Sequence, residues 1–156
     1  MSTEPGRVLA LDVGGRRIGV ALSDTRRLLA TPLTTLRAEP RPRALAELVK
    51  LARDYEVTDV VVGLPLTLNG EVGPQAKLVQ AFADQLKAQL NVPVHLFDER
   101  LTTVAAERMM VELGLRPEQR KARIDEVAAS IILQDFLEAN RERANALDEP
   151  QFEDNG

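Results

Sequence analysis

The feature of this sequence that most limits its fold is a short apolar run interrupted by one acid. Residues Arg7 to Val13 read RVLALDV, with a glycine on either side. A run of this length is typical of a β-strand buried on both faces. Asp12 would share one face of that strand with Val8 and Ala10. Because an unpaired carboxylate is costly in such a place, we expect a cation to balance Asp12. The candidates are an arginine across the following turn, Arg16 or Arg17, and a metal ion.

The rest of the chain predicts three strands that meander, then two strands reached through helices. Pro32 favours an edge position for the third strand. Gly114 marks the end of the third helix. The predicted strands after Arg7–Val13 are Arg17–Ser23, Leu28–Leu36, Asp59–Leu64 and Pro93–Phe97; the predicted helices are Ala44–Tyr55, Gln75–Leu90, one from Thr102 or Thr103 to Leu113, and one from about Arg123 after a basic connector, Arg116–Lys121.

This element order predicts an α/β fold with one mixed sheet of five strands and helices on both faces. The chain has 156 residues, 44% of them hydrophobic, which suits a single domain. We expect that domain to cover residues 1–140. Residues 141–156 are acidic and poor in apolar side chains, so they predict a disordered tail.

Composition limits the kind of site that the domain can hold. The chain has no cysteine, and His95 is its one histidine. Thiolate sites and histidine-rich zinc sites are therefore excluded, and any metal must be bound by oxygen ligands. The chain has no apolar run long enough to span a bilayer, and the opening MSTEPGR lacks the layout of a signal peptide. These two observations predict a cytoplasmic protein without a membrane partner.

The distribution of charge leaves a nucleic-acid partner open. The formal net charge is −4, but residues 138–156 contain six acids and two arginines, which accounts for all of it. The body is therefore neutral, and its bases are clustered. Such clusters are either binding patches or an ordinary solvated surface. They lie at Arg16-Arg17, Arg26-Arg27, Arg37 to Arg43 and Arg116 to Arg123.

Two further acids stand where a second and a third carboxylate could join Asp12. Glu99 ends the fifth strand, at the edge where open α/β sheets bind ligands, although an acid there could simply favour a helix start. Asp125 lies in the first turns of the last helix, beside an apolar stripe, and could equally be a capping residue. Carboxylates are the ligands that Mg²⁺ and Mn²⁺ prefer. Two such ions can drive phosphodiester hydrolysis without a histidine base.

Four motifs in order resemble the bacterial YqgF-type family over about residues 7 to 138. They are LDVGGRRIGVA at residues 11–21, VGLPL at 62–66 with Asn69-Gly70, DERLTT at 98–103, and Asp125 with Ala128-Ala129 and Ile132-Leu133. Members are described as Holliday-junction resolvases and pre-16S ribosomal RNA nucleases. The resemblance implies a ribonuclease H-like fold, and it implies that Asp12, Glu99 and Asp125 are the catalytic and metal-binding acids.

Within that resemblance, other residues near the motifs are candidate contacts to structured RNA or branched DNA. Arg17 and Arg100 could grip phosphate in a bidentate manner, or they could pair with the acids. Gly63, Leu64 and Pro65 end a central strand beside a long loop, residues 64–74, that is either a substrate flap or a plain connection. Thr102 is a further substrate-binding candidate. A four-way DNA junction would favour a homodimer, whereas RNA trimming could use a monomer.

Two other functions compete with a nuclease. The motif LDVGGRRIGVAL also resembles the first phosphate loop of sugar kinases and actin-like ATPases, but those proteins close two such domains around a nucleotide. This chain lacks the length and a second glycine-rich acidic hairpin. A non-catalytic nucleic-acid-binding scaffold with the same fold is the other alternative, and the retention of three acids argues against it.

Overall fold

The computed structural model describes residues 4–99 and 108–148, with side chains through residue 141. Five strands, three longer helices and one short helix follow one another in the predicted order. The elements are β1 (Arg7–Val13), β2 (Arg17–Ser23), β3 (Ala30–Arg37), α1 (Arg41–Asp54), β4 (Val57–Pro65), α2 (Pro74–Gln89), β5 (Val94–Glu99), α3 (the helical residues 108–112) and α4 (Pro117–Asp148).

The five strands form one mixed sheet in the order β3-β2-β1-β4-β5. The pairs β1–β2 and β2–β3 are antiparallel, whereas β1–β4 and β4–β5 are parallel. The carboxyl ends of β1, β4 and β5 therefore meet at one edge of the sheet, together with the start of β2. The predicted meander followed by two crossover strands is confirmed.

β3 lies at the edge of the sheet, as Pro32 predicted. Val20 pairs with Thr34, but Ala21 pairs with Pro32, so one extra residue bulges out of β3. A bulge accommodates proline because it releases the strand from regular ladder hydrogen bonding.

Helices cover both faces of the sheet and divide the core into two main layers. Leu9 and Leu11 of β1 pack with residues of α1 and α2, such as Leu48 and Leu86. On the opposite face, β1 and β4 contribute Val8, Ala10 and Val61 to a second cluster. The α4 side of that cluster is formed by Ala129, Leu133, Phe136 and Leu137. Asp12 continues the row of Val8 and Ala10 toward α4.

Several predicted element boundaries were wrong; α1, for example, begins at Arg41 rather than Ala44. Two of these differences have local reasons. β3 begins at Ala30 rather than Leu28, because the backbone N–H groups of Leu28 and Leu29 donate to Asp24 Oδ1 in the preceding turn. α4 begins at Pro117 rather than near Arg123. Proline suits a first helical position, and the Arg116 N–H donates to Gln119 Oε1 at 2.8 Å, so this segment is helical and not a connector.

The tail differs from the expectation over its first half. We expected disorder from residue 141, but α4 continues through Asp148. Residues 149–156 lie outside the described part of the chain. In the described ranges, no helix is long and apolar enough to cross a membrane.

Candidate active site

Asp12 is held near the carboxyl end of β1 on the face that packs against α4. Burial, and secondarily the negative charge of Asp125, raise the pKa of Asp12 to about 6. Within residues 4–99 and 108–141, no side chain donates a hydrogen bond to this carboxylate and no base pairs with it. The candidate site therefore contains a desolvated acid whose charge no residue in the described ranges balances.

The opposite end of the sheet shows how this fold balances a structural acid. Asp59, at the start of β4, pairs with the Arg27 guanidinium, and His95 Nε2 lies 3.0 Å from Asp59 Oδ1. Burial alone would raise the pKa of Asp59, but the hydrogen bonds and charges of His95 and Arg27 outweigh it and lower this pKa. Among the residues that the structure describes, Asp12 has no such partners, so a purely structural role explains it poorly.

Asp125 reaches the neighbourhood of Asp12 because α4 lies directly on β2. Gly19 of β2 is the register partner of Asp12. A Cβ added to Gly19 would lie 1.9 Å from the carbonyl oxygen of Asp125, so only glycine permits this contact. The missing side chain brings the backbone of α4 against the strand beside Asp12. The two carboxylates are then close enough for the charge of Asp125 to raise the pKa of Asp12.

Arg17 lies at the start of β2 and pairs with Asp125, not with Asp12. Its Nε is 2.8 Å from Asp125 Oδ2. The Arg17 side chain is 55% exposed and that of Asp125 is 25% exposed, so the guanidinium approaches from solvent. The prediction that Arg16 or Arg17 neutralises Asp12 is therefore wrong, because the arginine that enters the site pairs with Asp125 instead.

Glu99 ends β5 at the same edge of the sheet. Its Oε2 is buried and would lie 2.2 Å from a Cβ added to Gly63 of β4. Gly63 therefore makes room for the Glu99 carboxylate. Leu11 pairs with Val62, so Gly63 and Asp12 each lie one residue further along neighbouring strands. Asp12, Glu99 and Asp125 thus occupy one end of the sheet and its α4 face.

The other substrate-binding candidates divide into two groups. Pro65 is the last residue of β4 and the register partner of Glu99, so it borders the candidate site. The loop after it folds back on itself, since Gly70 N–H donates to the Thr67 carbonyl and Glu71 N–H to Thr67 Oγ1. Arg100 and Thr102 lie outside the described residues.

Sequence reasoning assigned Gly63 to substrate binding and gave Gly19 no role. The structure indicates that both glycines admit parts of the candidate site, the Glu99 side chain and the α4 backbone. Glycine in the interior of a strand weakens it and often marks a close approach. The glycine within RIGVALS was therefore an available signal for the contact between β2 and α4.

The donor set suits a hard divalent cation by its chemistry, since it consists of carboxylates and includes the unbalanced Asp12. The described residues, taken in their present arrangement, contain no group of three or more histidine, cysteine, aspartate or glutamate side chains that could hold an ion. Asp12 and Asp125 form a close pair, and Glu99 is the third acid on the same face.

Comparison with known proteins identifies the family. The sequence profile of the family described as "RuvX: Holliday junction resolvase" matches residues 6–139. The chain belongs to the RuvX family. A relative from Roseiflexus sp. (strain RS-1), named "Putative pre-16S rRNA nuclease", is 67% identical over 141 residues, which are 90% of this chain and all of the relative. A relative of the same name from Moorella thermoacetica is 51% identical and covers 85% of this chain and 94% of its own.

Solved structures confirm the ribonuclease H-like fold of this RuvX chain. The structure of T. thermophilus RuvC in complex with a Holliday junction substrate superimposes with a TM-score of 0.54 at 16% identity. It covers 87% of this chain and 96% of the RuvC chain. The structure of the fowlpox virus Holliday junction resolvase superimposes with a TM-score of 0.53 at 14% identity. The match covers 86% of this chain and 99% of the resolvase chain. RuvX membership places the chain in a nuclease family, whose reaction is phosphodiester hydrolysis.

Proposed function

We propose that this RuvX chain is a Mg²⁺- or Mn²⁺-dependent nuclease in which Asp12, Glu99 and Asp125 are the catalytic, metal-binding acids. The observation that carries the proposal is the meeting of Asp12 and Asp125 at the carboxyl end of the central strand. Bringing them together requires a glycine at position 19, and burial together with the charge of Asp125 raises the pKa of Asp12 to about 6. A fold that only needed stability would gain by replacing that pair with apolar side chains.

The roles of the three acids follow from their placement. Asp12 is fixed by the central strand, Asp125 by the contact of α4 with β2, and Glu99 by the space above Gly63. When bound, divalent ions would supply the Lewis acidity that phosphodiester hydrolysis requires. The carboxylates would hold and orient them, and the burial of Asp12 would limit competition from water.

Substrate binding is assigned to groups around this end of the sheet. Arg17 is already next to Asp125 and largely exposed, so its guanidinium can reach a substrate phosphate. Gly63 and Pro65 border the loop that we propose as a substrate flap. Arg100 and Thr102 are proposed contacts on the strength of the motif DERLTT alone.

We propose precursor 16S ribosomal RNA or branched DNA as the substrate. The names of the Roseiflexus and Moorella relatives favour the RNA, whereas the family description and the RuvC complex favour a four-way junction. Both polymers present the same phosphodiester to the acids. A junction substrate would favour a homodimer with two sites, and an RNA substrate could be trimmed by one chain.

One observation favours a second candidate, a non-catalytic nucleic-acid-binding scaffold. Within the described ranges the three acids do not form one metal-binding group, and Arg17 occupies Asp125. Under this alternative the arginine would be a permanent partner and the acids would be remnants of a nuclease site.

A cleavage experiment separates the two candidates. Purified protein is incubated with precursor 16S RNA, a four-way DNA junction and a linear duplex, each with Mg²⁺, Mn²⁺ or EDTA. A nuclease cleaves at least one substrate with metal and none with EDTA, and Glu99→Gln abolishes that cleavage. Binding without cleavage under every metal condition would support the scaffold. Asp84→Asn, an exposed acid on α2, is the matched control.

A further inference from the structure

A cavity lies between α3 and the first turns of α4, beside the candidate active site. Its volume is about 390 Å³. Four apolar side chains and two cations line it, from both helices. They are Met110, Val111, Pro117, Arg120, Lys121 and Ile124. None of these residues has a role in the proposed catalytic site.

A glycine and two hydrogen bonds hold the turn between the two helices, so the cavity is preformed in this structure. Gly114 ends α3 with a φ of +75°, a conformation that favours glycine. Gln119 Oε1 accepts a hydrogen bond from the Arg116 N–H at the start of α4. Arg120 Nη1 donates to the Leu115 carbonyl at 2.9 Å, which fixes its guanidinium at the cavity wall. Buried Met110 of α3 packs in one cluster with Val127 and Ala128 of α4.

Lys121 connects this cavity to the proposed active site. It precedes Asp125 by four residues on α4, so the two side chains lie on the same face with Cβ atoms about 5–6 Å apart. Lys121 is exposed, and within the described ranges no acid pairs with it. A strand with one phosphate at the carboxylates could therefore place a neighbouring phosphate at this ammonium group.

The charge around the cavity complements a polyanion. Residues 116–123 include four bases, Arg116, Arg120, Lys121 and Arg123, against one acid, Glu118. Residues 1–137 as a whole are neutral, so these four bases are a local excess. A phosphodiester backbone is attracted by such an excess in any sequence.

We propose that this cavity is a subsite for the nucleotide next to the scissile phosphate. Its phosphate contacts Lys121 and Arg120, and its sugar or base contacts Val111 and Ile124. The occupant is a nucleic-acid strand rather than a protein, because continuity with the carboxylates and the excess of bases both favour it. This subsite rests on the proposed function, since it extends the same substrate path. Apolar contacts without an aromatic platform predict binding that is independent of base sequence.

Binding measurements on a cleavage-deficient background test the subsite. Fluorescently labelled precursor 16S RNA and a labelled four-way DNA junction are titrated at several salt concentrations with Asp12→Asn protein. Lys121→Gln should weaken binding of the preferred polymer about 3- to 10-fold and lower the salt slope by about 1. Lys50→Gln, which removes an exposed lysine from α1 on the other face of the sheet, should change neither.

A second pair of variants tests the cavity itself. Val111→Glu places a negative charge at an exposed position of its wall, whereas Ala46→Glu adds the same charge on α1. The first should weaken binding at least about tenfold, and the second should leave it unchanged, with melting temperatures confirming that both fold. If Lys121→Gln and Val111→Glu bind like their controls, the subsite is overturned.

Parallel cleavage assays with Asp12 intact keep the two proposals apart. If wild-type protein cleaves and Lys121→Gln cleaves and binds equally well, the subsite fails while the nuclease assignment stands. If wild-type protein never cleaves but Lys121→Gln and Val111→Glu still weaken binding, the nuclease assignment fails, and the cavity remains a nucleic-acid contact.

Discussion

Asp12 carries an electrostatic cost at the candidate site, because its charge is buried. Its pKa in the folded protein is about 6, against 3.8 for the unperturbed group. The folded state therefore binds the Asp12 proton more tightly than the unfolded state does. Without metal, ionisation of Asp12 destabilises the fold as the pH rises from about 4 through 6, and below about 4 this cost is absent.

Asp12→Asn should remove that cost together with the activity. We expect cleavage to fall at least ~100-fold, equivalent to about 2.7 kcal/mol of barrier. In EDTA the free energy of unfolding at pH 7.5 should rise, by at most about 3 kcal/mol, and the gain should vanish near pH 4. Urea denaturation at both pH values and metal-dependent cleavage check this. A stable variant with wild-type cleavage would refute the mechanism, and a destabilised one would indicate a structural pairing.

Arg17→Met tests whether the guanidinium on Asp125 is a displaceable counter-ion. The pair is partly exposed, and such pairs contribute about 0.5–1 kcal/mol. Removing Arg17 should therefore tighten Mn²⁺ binding about two- to fivefold in the absence of nucleic acid, and it should weaken nucleic-acid binding. Calorimetric titration with Mn²⁺ measures the first effect. Arg53→Met on α1 is the control, and unchanged Mn²⁺ affinity in Arg17→Met would contradict the prediction.

At the scale of elements, the contact of α4 with β2 positions Asp125. Gly19→Ala would place a methyl group within 1.9 Å of a backbone oxygen, which cannot rotate away. We expect the free energy of unfolding to fall by about 1–3 kcal/mol and Asp125 to be displaced. Cleavage should therefore fall by more than the fraction of unfolded protein accounts for. Gly15→Ala meets no atom within 4 Å and should cost far less stability. Equal melting temperatures for the two variants would contradict this prediction, because they would show that α4 moves away from β2 without loss of stability.

Most elements could be predicted from the sequence because their signals are local. β1 and β2 were predicted with their observed bounds, since apolar runs between glycines and polar turns define them. The start of α4 was missed because its cap is formed by Gln119 rather than by one of the usual capping residues. The start of β3 depends on the Asp24 side chain, which competes with the strand for two N–H groups.

The site could be predicted only in part for a different physical reason. Strand order places Asp12 and Glu99 at one edge, and the motifs name Asp125, so the general location followed from sequence. The partner of Arg17 could not be predicted from the sequence, because it depends on how closely α4 approaches β2. That distance is set by Gly19, which lies seven residues from Asp12 in the sequence and is its register partner across β1 and β2.

At the scale of the whole molecule, the C-terminal segment carries most of the net negative charge. Among the α4 side chains described, which end at residue 141, the last buried one is Leu137, and the segment from Arg141 onward accounts for three of the four net negative charges. α4 continues to Asp148. From its composition we expect the segment to affect the protein's field more than its packing.

Deleting residues 141–156 should consequently leave the fold intact and favour substrate binding. Net charge changes from −4 to about −1, which reduces the repulsion of a polyanion at long range. We expect a melting temperature close to that of the full chain and nucleic-acid affinity that is equal or higher, with the difference shrinking as salt rises. Thermal melting and binding titrations at low and high salt measure both quantities. Replacing the five acids of the segment by amides, at unchanged length, separates charge from chain length. A large drop in melting temperature on deletion, absent in the amide variant, would show that the segment packs on the domain.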